Sequence, residues 1–175
     1  MNTGLNIRRA IPADVQLLSD LSGTTFFETF KNTCTDEDLA GFIDTSYNAD
    51  QILNELKDVN DLFFLAFIDM KPVGYLKLTE EESEVPVIKA HKSLEISRLY
   101  VLKEYHSQKV GAALMEFALK YGTKNNYEVL WLGVWEHNER AKSFYDKFGF
   151  KDTGFSHSFP IGNTPQTDIW LMRFI

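Results

Sequence analysis

Residues 94–121 read LEISRLYVLKEYHSQKVGAALMEFALKY, and two different periods meet inside them. Leu94 and Ile96 alternate with Glu95 and Ser97, the two-residue period of a strand with one buried face; residues 94–101 are read as that strand. From Val110 onward the apolar residues Val110, Ala113, Leu114, Phe117, Ala118 and Tyr121 fall at i, +3, +4, +7, +8 and +11, the stripe of an amphipathic helix. Residues 103–107 join the two. The turn Gln108-Lys109-Val110-Gly111-Ala112-Ala113 therefore opens a helix shortly after a strand. Unpaired N–H groups and the positive end of the helix dipole make such a turn an anion site, and its small residues admit a pyrophosphate to the backbone. Taken alone, the same string reads more readily as a close small-residue contact between helix and sheet. It is neither a Walker loop nor a dinucleotide-binding G-x-G-x-x-G fingerprint.

A second strand-to-helix junction follows about thirty residues later. Residues 129–135 read as a strand, and Asn138 caps a helix with Ala141, Phe144, Tyr145 and Phe148 on one face, closed by Gly149. Upstream, residues 7–9 form a short strand, Pro12 and Asp14 start a helix that continues to Phe30, and Thr35 and Asn48 cap two further short helices. Residues 62–68 and 73–78 make a hairpin around a turn at 69–72, an acidic connection occupies 80–92, and residues 150–159 and 167–174 finish as strands. Helices, then a hairpin, then two strand-to-helix units predict an α/β fold with a mixed sheet in one domain, residues 1–175.

Composition agrees with that size. With 175 residues, 44% hydrophobic and 14% aromatic, the chain has apolar volume for a sizeable core and is not disordered. The single cysteine, Cys34, excludes an intramolecular disulfide and a paired-cysteine zinc framework. Residues 1–9 lack the apolar core of a signal peptide, and 62–68 is too short to span a bilayer, so a cytoplasmic protein with no membrane partner is expected. A net charge of −7 argues against a nucleic-acid binder. That charge is uneven: residues 1–84 carry 6 basic and 16 acidic side chains, a net of −10, whereas residues 85–175 carry 12 and 9, a net of +3. A cation on the acidic half and an anion on the basic half is the functional reading; solubility is the plain alternative.

Taken in order, Arg98-Leu99-Tyr100-Val101, the Q-x-x-G-x-A turn and N-x-x-A-x-x-F-Y-x-x-F-G-F at 138–150 resemble the GNAT family of N-acetyltransferases, over essentially the whole chain. More narrowly, Thr25-Phe26-Phe27-Glu28-Thr29-Phe30, Trp131-Leu132-Gly133-Val134-Trp135-Glu136 and Gln166-Thr167-Asp168 are similar to the bacterial PaiA-type spermidine/spermine N-acetyltransferases. Ala113 departs from the family's more frequent glycine.

The resemblance implies a splayed, mixed sheet flanked by helices, with acetyl-CoA as cosubstrate and no metal. Leu99, Tyr100 and Val101 would lie along the pantetheine arm, with Leu99 and Val101 offering backbone groups. Gln108, Lys109, Val110, Gly111, Ala112 and Ala113 would hold the pyrophosphate, Asn138 would hydrogen-bond the arm, and Lys109, Lys142 or Lys147 would meet the 3′-phosphate. Tyr145 would protonate the departing thiolate. An alkyl ammonium with a pKa near 10.4 needs about 4.6 kcal/mol to bare its lone pair at pH 7, so a base or a water relay is required, and Glu95, out of phase with Leu94 and Ile96, is the candidate. Its alternative is a structural pair with Arg98 or a lysine. Glu28 and Trp135 are expected in the acceptor pocket, whereas His106 and Cys34 lack any partner pattern for a nucleophile or metal. The acceptor implied is a polyamine such as spermidine or spermine; a protein or peptide amine, or coenzyme binding without turnover, are the alternatives. A monomer or homodimer is compatible with either.

Overall fold

The computed structural model describes residues 4–175; Met1 to Thr3, part of the expected domain and of the leader reading, lie outside the described residues. The chain begins with β1 (Leu5–Arg9) and a 3-10 turn at Pro12–Asp14. The Asp14 carboxylate accepts the Ile11 N–H at 2.9 Å and takes both guanidinium nitrogens of Arg8 at 2.7 Å, which fixes the entry into α1 (Val15–Phe30). Thr35 and Asn48 cap α2 (Asp36–Ser46) and α3 (Ala49–Lys57) as expected, accepting from Asp38 N–H at 3.1 Å and Gln51 N–H at 2.9 Å. Each cap contributes about 1 kcal/mol.

The hairpin is tighter than the sequence reading. Asp69 and Met70 both adopt positive φ, 47° and 68°, so β2 (Asp61–Ile68) turns in two residues and β3 (Lys71–Thr79) pairs from Lys71 onward. The acidic connection also holds a short helix, α4 (Pro86–Lys89), because Val85 and Ile88 are buried against Val129, Trp131 and Met172. After β4 (Ser93–Val101) a 3-10 segment, Lys103–Gln108, ends at Lys109 in the left-handed region (φ 61°), and α5 (Val110–Lys124) starts there. The remaining elements are β5 (Val129–Trp135), α6 (Glu139–Lys147), β6 (Lys151–Ser158) and β7 (Thr167–Phe174), all within a residue or two of expectation.

Seven strands form one mixed sheet in the order β1-β2-β3-β4-β5-β7-β6. Every neighbouring pair is antiparallel except β4 and β5, whose parallel pairing is confined to Ser93, Leu94 and Glu95 opposite Val129, Leu130 and Trp131. Beyond those three rungs the two strands no longer pair, which is the expected splay. β4 also carries a bulge: Lys77 lies opposite Arg98 and Leu78 opposite Ile96, with Ser97 the extra residue. One face packs Leu76, Leu94, Ile96, Leu130 and Leu132 under Val110, Leu114, Met115 and Ala118 of α5. The opposite face packs Phe63, Leu65 and Tyr75 under Leu18, Phe26, Leu39 and Ile52 of the three N-terminal helices. Gly74 lets β3 and β4 close up, since a Cβ there would stand 2.7 Å from the Tyr100 carbonyl oxygen.

Candidate functional site

Where β4 and β5 part, the sheet opens into a cavity of about 1070 Å³ reached from both faces. Its walls are residues 96–101 of β4, Gly133, Val134 and Trp135 of β5, and the first turns of α5 and α6. The wall from α5 is an uncapped helix start. No side chain caps it, and the first intrahelical bond runs from Ala113 N–H to Lys109 O at 3.0 Å, so Val110, Gly111 and Ala112 keep N–H groups with no acceptor inside the helix. Lys109, Gly111 and Ala112 border the cavity. Val110 and Ala113 do not line it: the Val110 side chain is buried in the core, and the Ala113 N–H is already bonded within the helix. Gln108 is exposed beside the turn and does not line the cavity.

The basic groups of the wall differ in part from those expected. Lys147 is exposed at the far end of α6, away from the cavity, and the Lys142 ammonium is taken by Glu136 O and Glu139, each at 2.6 Å. Lys103, Lys109 and Arg140 stand on the wall instead. Arg140 escaped the sequence reading because its motif has a variable residue there. Asn138 borders the cavity, with its Oδ1 accepting Ala141 N–H at 3.1 Å and its NH₂ left for other use. Leu99 and Val101 lean toward α5, whereas the Tyr100 ring lies on the opposite face, stacked on Tyr75 at 5.9 Å. The Val101 carbonyl is engaged by His106 Nε2 at 2.8 Å, which gives His106 a structural role.

Tyr145 is buried on α6 and reaches the cavity. Burial raises its phenol well above the ordinary value, and the Asp168 carboxylate raises it further, so the hydroxyl keeps its proton at neutral pH. Glu95 faces away from Leu94 and Ile96, as its phase predicts. It has no cation partner among the described residues: Arg98 makes a bidentate pair with Glu55 at 2.7 and 2.9 Å, and Lys77 binds Asp61 at 2.8 Å and Glu55 at 3.3 Å. Burial raises the Glu95 carboxyl, while the Ser97 hydroxyl 3.0 Å away opposes the shift.

Glu28 lines the cavity and accepts the Lys103 N–H at 2.9 Å, tying α1 to the strand-to-helix connection. Trp135 forms a wall against Phe30, ring centroids 5.9 Å apart. The acidic half does not converge as expected. Of its carboxylates Glu28 alone borders the cavity among the described residues, because Asp14, Asp38, Glu55 and Asp61 are held by structural partners and most others face outward.

Two residues without an assigned role in the sequence reading also border the cavity. Asp168 of β7 lies opposite Trp135 in register and His157 of β6 lies opposite Asp168. Asp168 Oδ1 and His157 Nδ1 are both buried with no hydrogen-bond partner. Burial pushes the Asp168 carboxyl up to about 6 and lowers the His157 imidazole, whose ring stacks on Trp170 at 4.1 Å.

Residues 20–150 match the family model for the acetyltransferase (GNAT) family. The chain is 36% identical to an uncharacterised N-acetyltransferase of Lactobacillus delbrueckii subsp. lactis, over 98% of both chains. It is 28% identical to a spermidine N(1)-acetyltransferase of Thermoplasma acidophilum, over 84% of this chain and 88% of that one. It shares the fold of the PaiA N-acetyltransferase from Thermoplasma acidophilum, solved in complex with coenzyme A, with a TM-score of 0.78 at 23% identity and 98% and 99% coverage. The family model covers most of the chain and the relatives match it over nearly their whole length, so the chain belongs to the acetyltransferase (GNAT) family, as an N-acetyltransferase that uses acetyl-CoA.

Proposed function

We propose that the protein transfers acetyl from acetyl-CoA to a primary amine of a small polycation such as spermidine or spermine, by direct attack on the thioester. The observation that carries this reading is the gap between β4 and β5, with unpaired helix N–H groups and the bases Lys103, Lys109 and Arg140 on its wall, and Tyr145, Glu95, Glu28 and Asp168 around it. The pantetheine arm lies along Leu99 and Val101, the pyrophosphate meets the N–H groups of Val110, Gly111 and Ala112, and the Asn138 amide holds the arm. Tyr145 protonates the leaving thiolate.

The acceptor enters from the face of Phe26, Phe30, Phe42 and Trp135, where aromatic rings and carboxylates together suit an ammonium better than an anion. The spermidine-acetylating relative supports that class. Acetyl-CoA turnover measured against polyamines, amino acids and peptides tests the reading: spermidine or spermine is expected to give the highest kcat/KM, falling as salt is raised. A peptide that outcompetes both, with no effect of salt, replaces the polyamine by a peptide amine.

A further inference from the structure

The acetyl-transfer reading needs a group that takes the acceptor's proton, and the two carboxylates on the wall with raised proton affinity differ in position. Glu95 sits opposite Trp131, on the last rung that joins β4 to β5, and its charged neighbours are Glu81, Lys77 and Asp61. It belongs to the closed end of the gap. Asp168 sits opposite Trp135, four residues farther along β5, a rise of roughly 13 Å. It belongs to the open end, and it is the carboxylate whose charge reaches Tyr145.

The surroundings of Asp168 point to a ligand as well. Its Oδ1 and the Nδ1 of His157, neighbours across β6 and β7, are buried with nothing to bond, although the side chains border the cavity. Two unsatisfied buried polar atoms cost free energy in the free protein. An alkyl ammonium, with three N–H donors and one positive charge, complements a carboxylate short of donors. A carboxylate short of donors holds a proton more firmly than a solvated one, which a base acting on an ammonium requires.

We propose that Asp168 receives the acceptor ammonium at the Trp135 end of the gap and takes its proton beside Tyr145. One N–H bond breaks and an O–H bond forms on Asp168. The freed lone pair forms the C–N bond to the acetyl carbonyl, and the C–S bond breaks with its electron pair on sulfur. Tyr145 gives its hydroxyl proton to the sulfur, and the second proton shed by the acylated nitrogen restores Tyr145. The one proton released per turnover leaves from Asp168.

The inference rests on the acetyltransferase reading but not on the polyamine, so its test uses whichever amine the protein acetylates best. Glu139, Arg140 and Tyr145 of α6 and His157 of β6 are ionisable groups that border the cavity with Asp168, β5 brings Gly133 and Trp135, and His137, Glu28 and Glu95 face the same cavity. Asp168→Asn is expected to lower kcat/KM at pH 7 by about 10²- to 10⁴-fold with acetyl-CoA affinity unchanged. The inflection near 6 should vanish from the acidic limb of the pH profile, and activity should instead climb about tenfold per pH unit up to the ammonium pKa, since free amine then arrives unaided. Glu95→Gln should keep the inflection near 6. Carbon-13 carboxyl NMR of the wild type gives the Asp168 midpoint without turnover, expected near 6. Wild-type kcat/KM and pH profile in Asp168→Asn, an equal loss at pH 7 and pH 10, or a midpoint below about 4.5 each overturns the proposal.

Discussion

Replacing Gly111 by alanine separates folding from coenzyme binding at one atom. Gly111 is the second residue of α5 and lines the cavity, and a Cβ there would meet Phe144 and the Val101 side chain at 3.8 Å, ordinary contact with no clash. Its φ is not in the left-handed region, so the fold places no demand for glycine. Alanine in a helix is favoured over glycine by about 1 kcal/mol, less in a first turn, so Gly111→Ala is expected to add roughly 0.5–1 kcal/mol. In a chain of this size that raises Tm by about 1–4 °C. The same methyl group stands between the wall and the space assigned to the pyrophosphate. Losing close backbone approach there should weaken acetyl-CoA at least about tenfold, or 1.4 kcal/mol. Differential scanning fluorimetry and calorimetric titration with acetyl-CoA read the two effects. A higher Tm with unchanged affinity refutes the assignment of the turn to the coenzyme, and a lower Tm refutes the packing argument.

Tyr145→Phe keeps the ring and removes the acid, so single-turnover rates should fall by about 10- to 10⁴-fold with acetyl-CoA KM little changed; a wild-type rate would return Tyr145 to the core. The Asp168 carboxyl, raised by burial from 3.8 to about 6, binds its proton more tightly folded than unfolded, so its contribution to stability is full below 3.8 and lost as pH rises through 6. Asp168→Asn is therefore expected to stabilise the protein by roughly 2–3 kcal/mol at pH 8 and by little near pH 3.5, measured by urea unfolding; equal effects at both pH values contradict the shift. Glu55→Ala strips the carboxylate from Arg98 and Lys77 and should cost about 3–5 kcal/mol of unfolding free energy, whereas a loss below about 1 kcal/mol would mean that water reaches the vacated site.

The sequence was most legible where the cause of structure is local. Thr35, Asn48 and Asn138 announced three helix starts, and each accepts the backbone N–H three residues on. The hairpin turn was misjudged because Asp69-Met70 carries neither of the usual glycine or asparagine signals for two consecutive positive φ angles. The short helix Pro86–Lys89 hid inside an acidic run, since its reason to fold is the distant pocket formed by Val129, Trp131 and Met172. At the site, Tyr145, Gly111, Ala112 and Asn138 stand on the cavity wall where their motifs put them. A motif does not carry the helical hydrogen bond that takes up the Ala113 N–H, nor the length of α6 that takes Lys147 away. Asp168 stands in the Gln166-Thr167-Asp168 string, but its place on the cavity beside His157 could not be read locally, because it depends on the pairing of β6 with β7 and of β7 with β5. The count of −10 over the first half was correct, yet a count carries no direction, and the folded chain spends several of those carboxylates on Arg8, Lys77, Arg98 and the 163–164 loop.

The three rungs between β4 and β5 make the sheet two panels on a short seam, four strands on one side and three on the other. A ligand bridging the panels acts as a clasp, completing a structure that the polypeptide leaves open. At one hundred times its Kd such a ligand adds about 2.7 kcal/mol to the stability of the whole fold. Amide hydrogen exchange should consequently slow along 96–101 and 132–135 when the clasp is in place, and quicken when spent coenzyme departs. Each catalytic cycle is then also a cycle of tightening and slackening across the middle of the sheet, so substitutions at the seam will alter turnover without touching a reacting atom.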